Sequence, residues 1–254
     1  MSSPNFRSAL KRRKWEEKEK SPNKQMLSDQ CSRVSEKLST KKGGISLASL
    51  ELLIKEMKKR GMLKSPVIEE AFRNIDRRNF VPANLLNYCY EDRALPIGYG
   101  QTISQPSTVA FMLQLLSPQA DQTILDVGSG SCWTTALLAY IVGIKGRVIA
   151  LERIQELVDF GCKNLEEYPK YPISLYHANA TEGWPAEAPY DRILVSASAK
   201  KVPEALLQQL KIGGIMVIPL RDMMGNMMKI EKLDDENYRE VKHAGFAFVP
   251  FVEE

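Results

Sequence analysis

The chain has 254 residues, of which 44% are apolar and 26% charged, with 35 Lys/Arg against 31 Asp/Glu. That balance suits one large domain with a substantial core and excludes collagenous, mucin-like and wholly disordered chains. The longest apolar run, Ala136 to Ile144, is about half of what a bilayer span needs, and Met1 to Asn23 has no apolar stretch of the secretory kind, so no membrane segment and a cytoplasmic location are expected.

Residues 1–44 hold 12 Lys/Arg against 5 Asp/Glu, which leaves 23 against 26 for residues 45–254. The basic character therefore belongs to the tail. With few large apolar residues it cannot offset the entropy of ordering, and it is expected to be mostly disordered, with a nascent helix from Ser8 to Lys20. Lys11-Arg12-Arg13-Lys14 would suit nucleic acid or a targeting signal, but a short basic run in such a tail reads first as solvated, and no nucleic-acid partner is expected. Gly43-Gly44 marks the start of a folded domain over 45–254. Cys31, Cys89, Cys132 and Cys162 show no CxxC or Cys/His clustering, so they read as free thiols and no metal site is expected.

Leu47, Leu50, Ile54 and Met57 recur at helical spacing, and Lys58-Lys59-Arg60-Gly61 supplies a stop. A second helix is expected from about Ser65, with Val67, Ile68, Ala71, Phe72 and Ile75 inward and Phe80-Val81-Pro82 as its end. Pro96, Gly98, Gly100 and Pro106 mark 90–106 as an ordered loop, before a helix over Thr108 to Leu116. From Gln122 strands and helices alternate. Strands are expected at Thr123–Val127, Arg147–Leu151, Ser174–His177, Arg192–Ser196 and Gly214–Pro219, with helices to about Val142, over Gln155–Tyr168 and over Pro203–Leu210. This pattern predicts a doubly wound, Rossmann-like α/β fold with a parallel sheet. Met227–Lys232 and Gly245–Val252 read as an antiparallel hairpin at its far edge. Residues 45–121 would then form the N-terminal helices and loop, and 122–254 the sheet.

In such a sheet ligands bind beyond the carboxyl ends of the strands, where strand order reverses. Gly128-Ser129-Gly130 follows the first strand and precedes an apolar helix, where small residues admit a ligand and the helix start offers unpaired amides. A glycine turn with no ligand is the plainer alternative. Glu152 ends the next strand about 20 residues on, where an acid accepts hydrogen bonds from ribose hydroxyls, or caps the following helix, or both. A nucleoside is the expected ligand. Helices and a Gly/Pro loop ahead of the glycine strand, with an edge hairpin last, separate this order from a dinucleotide dehydrogenase and match S-adenosylmethionine-dependent methyltransferases.

Several colinear segments narrow the reading further. They are Arg77-Arg78-Asn79-Phe80-Val81-Pro82, Glu91-Asp92-Arg93-Ala94-Leu95-Pro96-Ile97-Gly98, the heptapeptide Gly100-Gln101-Thr102-Ile103-Ser104-Gln105-Pro106, Ala188-Pro189-Tyr190-Asp191-Arg192-Ile193, Leu210-Lys211-Ile212-Gly213-Gly214 and Phe248-Val249-Pro250-Phe251. On these residues the chain resembles protein-L-isoaspartate (D-aspartate) O-methyltransferases from about Ser46 to its end. The resemblance implies S-adenosylmethionine as cofactor and isoaspartyl proteins and peptides as substrates, methylated on the free α-carboxylate in a repair reaction by a monomer. It implies Ser104 as the active-site hydroxyl, with Thr102, Ile103, Ser107, Asp126, Gly128, Ser129, Gly130, Glu152, Asn179 and Ala180 around the cofactor. Ser104 as a cap for the helix after it is the competing role. Phe251 and Val252 fall where the family's last strand nears the site, and read equally as edge-strand core.

The chain also departs from the family. Cys132 stands where a third glycine is usual, and is expected to crowd the helix start. Ala178-Asn179-Ala180 stands in place of Gly-Asp-Gly, so an Asn oxygen would accept from the adenine amino group. Tyr99 and Ser107 also differ from close relatives. A methyltransferase acting on another peptide carboxylate, and a binding module without turnover, are the rival readings.

Overall fold

The computed structural model of the chain describes residues 47–251, apart from 222 and 224. The basic tail with its nascent helix, the domain start at residue 45, Cys31 and Val252 lie outside the described residues.

Helix α1, Leu47–Lys59, buries Leu50, Leu53, Ile54 and Met57 along one stripe. Lys58 and Lys59 sit in its last turn, where the helix dipole favours cations, and Gly61 turns the chain at φ +70°. Helix α2, Pro66–Asn74, begins on a proline whose fixed φ suits a first turn, and buries Ile68, Ala71 and Phe72. Val67, expected to face inward, lies one step off that stripe and is 40% exposed. The helix also ends before Phe80-Val81-Pro82. Asp76 adopts an extended conformation and accepts a hydrogen bond from the Arg78 amide at 3.0 Å, which starts a separate 3-10 turn over Arg77–Phe80.

The stretch read as a loop contains an antiparallel hairpin, β1 (Leu95–Gly98) and β2 (Gln101–Ile103). Its turn, Gly98-Tyr99-Gly100, has positive φ at all three residues. Helix α3, Pro106–Leu116, follows. Strand β3 (Thr123–Val127), helix α4 (Trp133–Val142), β4 (Arg147–Glu152), α5 (Gln155–Leu165), β5 (Ile173–His177), β6 (Tyr190–Val195), α6 (Glu204–Gln208) and β7 (Leu210–Leu220) then alternate. Strands β8 (Asn226–Lys232) and β9 (Tyr238–His243) complete a seven-stranded sheet of order β5-β4-β3-β6-β7-β8-β9, parallel from β5 to β7 and antiparallel from β7 to β9.

The last strand is not Gly245–Val252 as expected. Asp234 accepts the amides of Glu236 and Asn237, closing a tight turn that sends the chain straight back along β8. The charged, exposed pattern of β9 hides it from a hydrophobicity reading, although that pattern is what an edge strand needs. Residues 245–251 instead form an irregular strap, tied to Ser198 by the Ser198 amide to the Val249 carbonyl and the Phe251 amide to the Ser198 carbonyl, both 2.8 Å.

Alternate residues of each central strand enter two cores. Ile124, Val148, Leu194 and Val217 join helices α1 to α5 on one face, while Leu125, Ile149, Ile193 and Met216 meet Leu206 of α6 on the other. Phe72 of α2 packs edge-on against Trp133 of α4 with ring centres 5.3 Å apart, so the N-terminal helices and the sheet share one core. Among the described residues no helix is long and apolar enough to cross a membrane.

Candidate active site

Chain order reverses at β3, which pairs with β4 on one side and β6 on the other. The carboxyl ends of these strands open into a cleft. Its floor is Gly128–Ser131, Glu152, and the Ala178-Asn179-Ala180 segment. Its roof is Thr102, Ile103 and Ser104 of the hairpin together with Val249, Pro250 and Phe251 of the strap.

Gly128 and Gly130 hold φ of +77° and +54°, values a side chain rarely tolerates. A Cβ on Gly130 would lie 3.2 Å from Cδ1 of Ile97, so the hairpin rests closely on the glycine turn. The turn's own amides are not free donors. Those of Gly128 and Ser129 donate to the Leu151 carbonyl, and that of Gly130 donates to Glu152 Oε2 at 2.9 Å. Glu152 Oε1 accepts from the amides of Arg153 and Ile154, at 2.8 and 3.0 Å. The carboxylate thus caps the entry to α5 and still lines the cleft. With about four acceptor positions on a carboxylate and three filled, one remains for a ligand hydroxyl.

Asp126 does not line the cleft. It is fully buried beneath the turn, where Thr135 Oγ1 donates to its Oδ2 at 2.6 Å and Oδ1 has no partner. Burial lifts its carboxyl to about 7, the Thr135 bond opposes the rise, and the negative Glu152 adds to it. Its expected place at the cofactor is therefore corrected: in β3 the residue points into the helix-covered interior.

Cys132 is likewise fully buried, at φ +67° as the residue before α4. Its thiol does not crowd the cleft. It fills the space left by Gly161 of α5, where an added Cβ would come within 2.5 Å of Sγ. Burial pushes this thiol up to about 12, which keeps it neutral. The Cys132 side chain thus occupies the space that a side chain at 161 would need.

Asn179 lines the cleft, but its Oδ1 accepts from the Thr181 amide and hydroxyl, at 3.2 and 2.7 Å, as the cap of a 3-10 turn. That oxygen is not free for an adenine amino group, because the short side chain turns back onto its own backbone. Ala180, Thr102 and Ile103 line the cleft.

Ser104 lines both the cleft and an adjoining groove. Capping is not its role, since Gln105 precedes the first residue of α3 and the first-turn amide of Ser107 is taken by Asp92 Oδ1 at 2.9 Å. Ser107 itself lies in that groove, away from the glycine turn, because the first turn of α3 points it there. The groove shares Thr102, Ser104, Ser196 and Val249 with the cleft, continues over Met62, Phe246 and Phe248, and has no charged side chain among its described lining residues.

The sequence reading missed Trp133, Thr134, Ser196 and the strap. Ser196 follows β6, the other strand at the switch point, so the rule that located Gly128 would have found it. Nothing local marked the strap beyond the Phe-Val-Pro-Phe resemblance.

A family model described as protein-L-isoaspartate(D-aspartate) O-methyltransferase matches residues 48–254. A Methanopyrus kandleri protein-L-isoaspartate O-methyltransferase is 45% identical over 207 residues, 80% of this chain and 91% of the relative. One from Aliivibrio salmonicida is 41% identical over 202 residues, 80% of this chain and 95% of the relative. A Plasmodium falciparum crystal structure, described as a protein-L-isoaspartate O-methyltransferase in complex with S-adenosyl-L-homocysteine, superposes with a TM-score of 0.72 at 26% identity, covering 80% of this chain and 98% of the other. A cleft at the strand-order switch, roofed by Gln101–Ser104, in a chain matched along almost all of its described residues, leads to one conclusion: the chain belongs to the protein-L-isoaspartate(D-aspartate) O-methyltransferase family.

Proposed function

We propose that this chain methylates the α-carboxylate of isoaspartyl residues in proteins and peptides, with the donor in the cleft and the peptide in the adjoining groove. The observation that carries the reading is Ser104, at the junction of the two spaces.

The cleft suits S-adenosylmethionine on its own chemistry. Glu152 presents one open acceptor at the end of β4 for ribose hydroxyls. Leu151, Ile154 and Ala180 offer apolar walls for a base, and a left-handed glycine turn allows close approach. S-adenosylmethionine supplies an activated methyl group when bound.

The residues around Ser104 match a nucleophile that needs no activation. A carboxylate is ionised at neutral pH, so no general base is required. Both histidines lie elsewhere: His177 Nε2 meets the Arg153 carbonyl at 3.0 Å, and His243 packs edge-on against Phe111. The uncharged groove would hold the carboxylate by hydroxyl and amide donors rather than by an ion pair that would lower its nucleophilicity. Rate acceleration then comes from positioning and exclusion of water.

The test is methyl transfer from labelled S-adenosylmethionine to paired peptides that differ only in isoaspartate against aspartate. Ester formation on the isoaspartyl peptide alone is expected. Equal labelling of both peptides, or of neither while donor binding persists, would refute the reading.

A further inference from the structure

Arg77 is 1% exposed and is the bulkiest fully buried side chain among the described residues. A buried guanidinium normally needs a carboxylate. Here the neighbouring carboxylates are engaged by others: Asp76 by Arg78, and Asp92 by Arg60. Arg77 instead donates to three main-chain carbonyls, from Nη1 to Cys89 at 2.7 Å and from Nη2 to Arg93 at 3.1 Å and Ser104 at 3.0 Å. Nε has no partner. The guanidinium carbon also lies 5.2 Å from the ring centre of Trp133, the first residue of α4 after the glycine turn.

We propose that Arg77 is a positioning residue, which sets the orientation of Ser104 by clamping its carbonyl to those of Cys89 and Arg93. The proposal rests on the reading of Ser104 as the substrate-binding hydroxyl. Ser104 lies between the end of β2 and the start of α3, in backbone with no sheet ladder or helix to fix its peptide planes. Drawing its carbonyl inward onto a buried cation constrains the peptide plane that follows, and so the face on which the hydroxyl stands. The clamp also joins Ser104 to two loop carbonyls and, through Trp133, to the floor of the cleft. The planar guanidinium spreads its donors over separate nitrogens in fixed directions, whereas a lysine ammonium gathers its three donors on one atom at the end of a flexible stem.

The experiment is a double-mutant cycle on the full chain. Arg77→Lys and Arg77→Gln are each made alone and with Ser104→Ala, and each protein is followed by isoaspartyl-peptide turnover, donor-binding calorimetry and amide exchange. Because hydrogen bonds to a charged group are strong, Arg77→Lys alone should lower kcat about tenfold to a hundredfold. Donor affinity should stay within about twofold, because the clamp acts through Ser104, read as the contact of the peptide carboxylate. In the Ser104→Ala background the same substitution should lower kcat less than about threefold, the signature of residues acting as one unit. Exchange should quicken at 101–105 and stay unchanged in β3 to β7. An equal fold-loss in both backgrounds, donor affinity falling in step with kcat, or loss of cooperative melting in both single variants would make Arg77 a core strut and overturn the proposal. Unchanged turnover in Ser104→Ala alone would instead refute the role of Ser104 itself.

Discussion

The floor and the roof of the cleft are anchored by different means. Gly128 and Ser196 follow, and Glu152 ends, strands of one continuous ladder, in which β3 pairs residue by residue with β4 and β6. The hairpin and the strap have no such ladder to the main sheet. They are held by a few separate contacts: Arg77 on the Ser104 carbonyl, Asp92 on the Ser107 amide, and, for the strap, the main-chain amide and carbonyl of Ser198 together with its Oγ, which donates to the Val249 carbonyl at 3.2 Å. A ladder distributes its load over many bonds, so a floor position tolerates the loss of one. A roof position depends on a few such contacts, and the loss of one should be felt in turnover before it is felt in folding.

That contrast can be broken at the roof first. Ser104→Ala should lower kcat by about a hundredfold, the usual effect of removing one preorganised donor, with little change in donor affinity by calorimetry. A matched loss of affinity would place Ser104 on the floor side of the division.

On the floor, Glu152→Gln should weaken donor binding about tenfold and lower stability by ~1.5–3 kcal/mol, because charge-assisted bonds to amides are replaced. The Gln amide also sets a donor against amide donors. Unchanged donor affinity, measured by titration, would mean that Glu152 serves the fold alone.

Gly161→Ala should destabilise by ~1–3 kcal/mol, as overpacking does, since the new methyl meets Cys132 Sγ. Adding Cys132→Gly should restore most of that loss in denaturant melts, because it removes the thiol and the left-handed strain together. Purely additive losses would show that the two positions do not compensate.

A last prediction concerns pH. The Asp126 carboxyl is raised from an ordinary 3.8 to about 7 by burial, so the folded state holds its proton more tightly than the unfolded chain. Its stabilising share is complete below about pH 4 and is lost as pH climbs through about 7. Asp126→Asn should flatten the melting temperature over that interval relative to the parent chain. An unaltered slope would show that Asp126 is ionised in the folded state.

Much of this was legible in residue order alone. Strand β3 was placed to the residue and β4 within one, because buried parallel strands read as short apolar runs between turn residues. The heptapeptide 100–106 pointed to the family, and the Gly128–Gly130 turn to the cleft. What escaped was polar or irregular: β9 with its charged exposed face, the hairpin inside a Gly/Pro stretch, and the strap over the cleft.

Local pattern determined the parallel sheet, the position of the cleft and the chemistry expected in it, since periodicity and turn residues act over a few neighbours. Only the tertiary structure decided where polar side chains spend their hydrogen bonds. It turned Asp126 inward, occupied the Asn179 oxygen, and accommodated Cys132 against Gly161, 29 residues further on. It also brought Arg77 to Ser104. Those outcomes depend on which groups meet across the fold when water is removed, and no short stretch of chain carries that information.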